Sequence, residues 1–157
     1  MKFDDKIGSI QQILTATNVG ILRRQAIIKE LNLKKSQTVI DIGCGGGHLV
    51  EEISMCIGSS GRAIGVDPSE FQIKTAKERC KHLPNVQFLC SNASDINIDK
   101  SSCDAVTFTQ TLEYIDDVDE ALFVAKKLQK PKSIFVNIST LWDFFGFHGP
   151  EKDLNDM

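Results

Sequence analysis

The sequence predicts an α/β domain built on a doubly wound, mostly parallel sheet. Three observations carry that expectation. Short apolar runs alternate with stretches whose apolar residues recur at helical spacing, and turns of a few residues separate them. The first apolar run passes straight into a glycine-rich turn, Gly43-Cys44-Gly45-Gly46-Gly47, and then into a helical pattern. The second ends on an acid, Asp67, twenty residues beyond Gly47.

The elements follow in order. Helical spacing covers residues 7–15 and 21–31, the latter with Ile21, Leu22, Ile27, Ile28 and Leu31. A polar break through Asn32 and Ser36 leads into strand one, 38–42. A helix over 47–57 ends at Gly58-Ser59-Ser60-Gly61, and strand two runs to Asp67. Ser69 is an N-cap for a helix reaching Cys80, because its hydroxyl can accept from an open backbone N–H. Strand three (86–90), strand four (105–109), a helix (118–128) and strand five (133–138) complete the pattern. Strand–helix–strand alternation with short turns implies right-handed parallel crossovers. The organisation is one domain: a helical lead-in (1–37), a core (38–140) and an aromatic tail (141–157) with Trp142, Phe144, Phe145 and Phe147.

Composition excludes several classes. The net charge of −3 gives no field that attracts nucleic acid or anionic lipid. No apolar run approaches membrane-spanning length, and Met1-Lys2-Phe3-Asp4-Asp5-Lys6 lacks the basic-then-apolar order of a secretory leader. Cys44, Cys56, Cys80, Cys90 and Cys103 are odd in number and without C-x-x-C spacing, which predicts free thiols and a cytoplasmic setting.

The glycine turn narrows the ligand. The G-x-G-x-x-G dinucleotide pattern would need a third glycine where His48 or Val50 stands, and no Walker lysine follows. What remains is D-x-G-x-G-x-G, led by Asp41. An acid there repels a phosphate and suits an amino group, while Asp67 lies where a βαβ unit sets a carboxylate on a ribose diol. An amino-acid end, a ribose and no phosphate describe S-adenosylmethionine.

Four segments in order, Asp41-Ile42-Gly43-Cys44-Gly45-Gly46-Gly47, Val66-Asp67-Pro68-Ser69, Ser91-Asn92-Ala93-Ser94-Asp95 and Asp104-Ala105-Val106-Thr107, resemble the motifs of class I S-adenosylmethionine-dependent methyltransferases. The chain is most similar to the small-molecule group that includes the ubiquinone/menaquinone C-methyltransferases, over roughly residues 20–145. The resemblance implies a Rossmann-like methyltransferase fold of five strands, without the terminal hairpin that family members add. It assigns cofactor binding to Asp41 (amino group), Gly43, Gly45 and Gly47 (the turn), Asp67 (ribose), Asn92 and Ala93 (adenine) and Gln110 (the methionine end). Asn92 stands where relatives often carry Asp, keeping a carbonyl acceptor and losing the charge.

No catalytic residue is assigned. Glu113, Tyr114 and His148 are candidate bases, and His48 more simply shapes the turn. No metal is expected, and no trio of cysteines converges as arsenite methylation would require. The function expected is methyl transfer to a small-molecule acceptor, without nucleic-acid or membrane partners. Two other readings stay open: a non-catalytic or incomplete cofactor-binding domain, and a nucleotide-dependent oxidoreductase, which His48 disfavours. A sheet that stops at strand five would leave an edge open to self-association.

Overall fold

The computed structural model of the chain describes residues 12–139. Five strands form one sheet: β1 (Thr38–Ile42), β2 (Arg62–Asp67), β3 (Val86–Cys90), β4 (Cys103–Thr109) and β5 (Gln129–Ile138). Their spatial order is β3-β2-β1-β4-β5, and every neighbouring pair is parallel. Among the described residues, 12–16 are helical, the longer helices are α1 (Asn18–Leu31), α2 (His48–Ile57), α3 (Glu70–Arg79) and α4 (Val118–Leu128), and one 3-10 turn lies at Leu112–Tyr114. The doubly wound expectation holds. The expected tail residues and His148 lie outside the described residues, as does most of the helix expected over 7–15.

The sheet is covered on both faces. Val39, Ala63 and Ala105 point to one side and pack with Leu49, Val50, Ile53 and Ile57 of α2, Ile73 of α3, and Ile27 and Leu31 of α1. Ile40, Ile42, Ile64, Val66, Val106 and Phe108 point to the other, against Val124, Ala125 and Leu128 of α4. Central strands flanked this way carry apolar residues at consecutive positions, which is why β1, β2 and β4 read as runs rather than alternations. Ser69 caps α3 as expected, accepting from the Gln72 N–H at 3.3 Å. Asp117 caps α4, accepting from Glu120 at 2.9 Å.

Two expectations are corrected. In α1 the buried stripe is Gly20, Arg24, Ile27 and Leu31, while Leu22 is 65% exposed. Gly20 is needed there because a Cβ would lie 2.3 Å from the Thr15 carbonyl oxygen. The Arg24 guanidinium is buried by pairing: Nε donates to Glu52 of α2 at 2.6 Å and a terminal nitrogen to Thr15 O at 2.6 Å. Strand five begins earlier than 133 and is not buried on both faces. Its ladder with β4 is irregular between Cys103 and Ala105, and Lys130 there grips the Asp104 carboxylate at 2.8 Å. Ile134, Val136 and Ile138 face the α1–α3 side of the core, but Phe135 meets Phe108 on the other face and stays 40% exposed. Among the described residues β5 pairs with β4 alone, so it forms an edge.

Candidate active site

The strand order reverses direction at β1, whose neighbours are β2 and β4, and the carboxyl ends of these strands converge on one crevice. The glycine turn forms its floor. The N–H groups of Gly43 and Cys44 both donate to Val66 O, at 2.7 and 2.9 Å, which ties the turn to the end of β2. Gly45 N–H then donates to Asp67 Oδ2 at 2.9 Å, and Ser69 N–H donates to Oδ1 at 2.9 Å. Asp67 therefore staples the glycine turn to the start of α3 with both oxygens. Each oxygen keeps acceptor capacity, since a carboxylate offers about four lone-pair sites. Burial pushes the Asp67 pKa up, opposed by these two N–H groups.

The three expected glycines stand in the left-handed region, yet they do different work. Gly47, at φ +79, is a packing position: a Cβ would lie 2.8 Å from Ala76 Cβ and 3.2 Å from Phe88 Cζ. At Gly43 the added atom would strike the Thr111 side chain, which fills the space beneath the turn. Gly45, at φ +50, has a left-handed backbone that favours glycine, and among the described residues nothing lies within 4 Å of an added Cβ, so bare backbone faces the crevice. The N-cap of α2 is Gly47, which has no side chain to offer, and the first N–H groups of a helix form a site suited to an anion.

Asp41 lies at the end of β1, only 2% exposed. Its register partner on β4 is Thr107, whose hydroxyl donates to Asp41 Oδ1 at 2.7 Å. Burial raises the Asp41 pKa from 3.8 to about 7; the Thr107 hydrogen bond opposes that rise and the like charge of Asp67 adds to it. His48 opens α2. Burial first, then the cations Arg79 and Arg24, push its pKa down to about 4, so its ring is neutral at neutral pH. A neutral ring adds no charge to the turn.

The remaining expected residues flank this centre. Ser91 N–H donates to Asp67 O at 3.2 Å, so the turn carrying Asn92 and Ala93 starts beside Asp67. Asn92 is exposed, and Ala93 rests against the α4-side core. Gln110 follows β4 at φ +50, donates its N–H to Ile138 O at 2.6 Å, and accepts from the Arg23 guanidinium through its side-chain carbonyl. Sequence reasoning did not single out Arg23 or Thr111, and it met Thr107 only as the end of a motif segment; the fold brings all three here. Glu113 and Tyr114 lie in the 3-10 turn beyond Gln110, and burial with the Glu113 charge raises the Tyr114 pKa. A shallow groove of about 560 Å³ lined by Glu70, Ile73, Lys74, Lys77, Glu78 and Cys90 holds none of these residues. Among the described residues no cluster of three His, Cys, Asp or Glu side chains could hold a metal, and no helix is long and apolar enough to cross a membrane.

Comparison with known proteins bears on the same crevice. The chain matches a family model described as a methyltransferase domain over residues 33–146. It is 31% identical over 117 residues to the demethylmenaquinone methyltransferase of Staphylococcus carnosus, covering 74% of this chain and 48% of that protein. The chain spans about half the length of the curated relatives it matches. Among solved structures, a SAM dependent methyltransferase from Aquifex aeolicus superposes with a TM-score of 0.80 at 24% identity, covering 97% of this chain and 80% of that one. Geranyl diphosphate C-methyltransferase from Streptomyces coelicolor A3(2), solved with S-adenosyl-L-homocysteine, gives 0.71 at 21% identity, covering 76% and 45%. Those two likenesses concern the fold. With the glycine turn, the strand order and a family match that takes in all five strands, the chain belongs to the methyltransferase domain family.

Proposed function

We propose that this chain binds S-adenosylmethionine across the ends of β1, β2 and β4 and serves methyl transfer to a small-molecule acceptor. The observation that carries the reading is Gly45: its N–H is fixed on Asp67 while, among the described residues, the space before it is open. That cradle fits the cofactor, since any side chain at this position would occupy the path of a ligand lying on the backbone.

In this reading Asp41 holds the cationic amino group, the first N–H groups of α2 receive the methionine carboxylate, and Asp67 uses its spare lone pairs for the ribose hydroxyls. Asn92 and Ala93 border the adenine, and Gln110, braced by Arg23, borders the methyl-bearing end. When bound, S-adenosylmethionine supplies a methyl group activated by its sulfonium. The residues around it contribute alignment and exclusion of water, which suffices for in-line displacement when the acceptor needs no deprotonation. Where it does, Glu113 and Tyr114, in the 3-10 turn just past Gln110, are the candidate bases. A small acceptor is supported by relatives named for demethylmenaquinone and geranyl diphosphate. A cytoplasmic setting is supported by five free thiols.

Isothermal titration with S-adenosylmethionine and its demethylated product tests the reading, beside NAD and ATP as competitors. Binding of the first pair with no comparable heat from NAD or ATP is expected. NAD binding as tightly would overturn it.

A further inference from the structure

We propose that Thr107 is a positioning residue of this site: its hydroxyl, donated across the β1–β4 ladder, holds Asp41 as an oriented carboxylate ready for a cationic amino group. The inference rests on the proposed cofactor reading and adds to it the residue that sets Asp41's charge state.

The geometry carries it. Asp41 and Thr107 are register partners in a parallel pair, so their side chains leave the same face of the sheet. One step back on each strand's row stand Val39 and Ala105, both in the α1–α3 side of the core. The row is thus apolar until it reaches the crevice, where it turns polar at both strands together. Thr107 is fully buried, at 0% exposure, and its packing would be met equally by the nearly isosteric valine. Its hydroxyl needs another reason to be there.

A hydroxyl has one proton and two candidate acceptors here: Asp41 Oδ1 at 2.7 Å and Ile40 O at 3.4 Å. At 2.7 Å the bond to Asp41 is a well-formed O–H···O hydrogen bond, and it is stronger when the acceptor is a carboxylate. The other groups around Asp41 give the ionised form no help. Asp67, at the end of β2, carries the same charge, and Cys44, in the turn, is a thiol that burial keeps neutral. Arg24 on α1 is engaged with Glu52, and His48 on α2 is neutral. Thr107 is therefore what favours the carboxylate before a ligand arrives. When Asp41 takes up a proton, that proton can pass its hydrogen bond to Thr107 Oγ1, and the threonine hydroxyl can turn to Ile40 O. The hydroxyl follows the charge of Asp41.

The test compares the full chain with T107V and T107S by isothermal titration of S-adenosylhomocysteine between pH 5.5 and 8.5. The parent should lose affinity as pH falls through the Asp41 titration, because a neutral carboxyl cannot pair with the amino group. T107V should move that midpoint up by about one unit and weaken binding about fivefold at pH 7, where the ionised fraction falls from about one half to about one eleventh, the effect of deleting a hydrogen bond to the charged form. T107S should restore the parent's profile. A general packing defect would weaken binding equally at every pH and leave the midpoint in place, and that outcome overturns the inference. The carboxyl-carbon NMR titration of Asp41 in the ligand-free chain reads the same coupling without a ligand. An unmoved midpoint in T107V, or in T107A where T107V does not fold, overturns the inference even if the cofactor binds. A parent that binds no S-adenosylhomocysteine at any pH overturns the functional reading instead.

Discussion

Asp67→Asn is the substitution whose outcome the geometry decides most sharply. Both carboxylate oxygens accept backbone N–H groups, from Gly45 and Ser69, each at 2.9 Å. An asparagine amide has one acceptor and one NH2, so in either orientation it sets a donor against one of those N–H groups. One charge-assisted hydrogen bond is lost, about 1.5–3 kcal/mol. Burial of the charge, which pushes the Asp67 pKa up, is relieved at the same time and keeps the loss near the lower end. For a domain of this size about 1.5 kcal/mol corresponds to a fall in Tm of roughly 3–6 °C. Asp67→Ala leaves room for water at both N–H groups, so asparagine should be no milder than alanine in thermal stability. In cofactor binding the order should separate: asparagine keeps an acceptor for the ribose and costs about 1.5 kcal/mol, alanine about twice that. Differential scanning calorimetry with titration of S-adenosylhomocysteine measures both. An asparagine variant that melts and binds like the parent would show that the carboxylate neither staples the turn nor meets the ribose.

Gly45→Ala and Gly47→Ala should part company. The first adds only left-handed strain, about 1–2 kcal/mol, but puts a methyl in the crevice and should weaken S-adenosylhomocysteine at least about tenfold. The second adds overlap with Ala76 and should cost about 2–4 kcal/mol in urea unfolding. Asp41 makes the ligand-free chain pH-sensitive. Its folded pKa of about 7 exceeds the ordinary 3.8, so the folded state binds more protons between the two. Stability is therefore full below pH 4 and falls as pH rises toward 7, by up to about 4 kcal/mol, and Asp41→Asn should flatten the difference between urea midpoints at pH 5 and 7.5. Arg24→Ala removes the partner of Glu52, whose side chain is 33% exposed, and should cost about 2 kcal/mol by the same unfolding assay, with Glu52→Gln milder.

The fold was legible where burial acts on both faces of a strand, because continuous apolar runs such as Val39-Ile40 and Ala63-Ile64 need no partner to be recognised. The glycine turn was legible because its spacing excludes other loops. The α1 stripe was not, since half of it is Gly20 and Arg24, residues that sit there for a close backbone approach and for a pair with Glu52. Thr107 closes the fourth motif segment, Asp104-Ala105-Val106-Thr107, and the sequence gives it no role of its own. What makes it part of the site is a hydrogen bond to a residue 66 positions earlier, and its own neighbours carry no trace of that. The Arg23–Gln110 contact spans 87 positions and was hidden for the same reason. Residues whose role depends on register between distant strands become visible only when the sheet is assembled.

The electrostatics of the crevice favour one kind of ligand over its rivals. Asp41 and Asp67 end adjacent parallel strands, and each is pushed toward its neutral form by burial. Asp67 recovers part of that cost from two N–H groups; among the described residues Asp41 has the Thr107 hydroxyl, and it feels the like charge of Asp67 besides. A phosphate brought to this point would add a third negative charge to a dry site. A ligand bearing an ammonium at Asp41 and a neutral diol at Asp67 relieves the repulsion and asks nothing more of the carboxylates than the lone pairs they still have. In the proposed reading the same acid that destabilises the empty crevice at neutral pH is what a cationic ligand pairs with, and the face of Gly45 that is open among the described residues gives it room to lie.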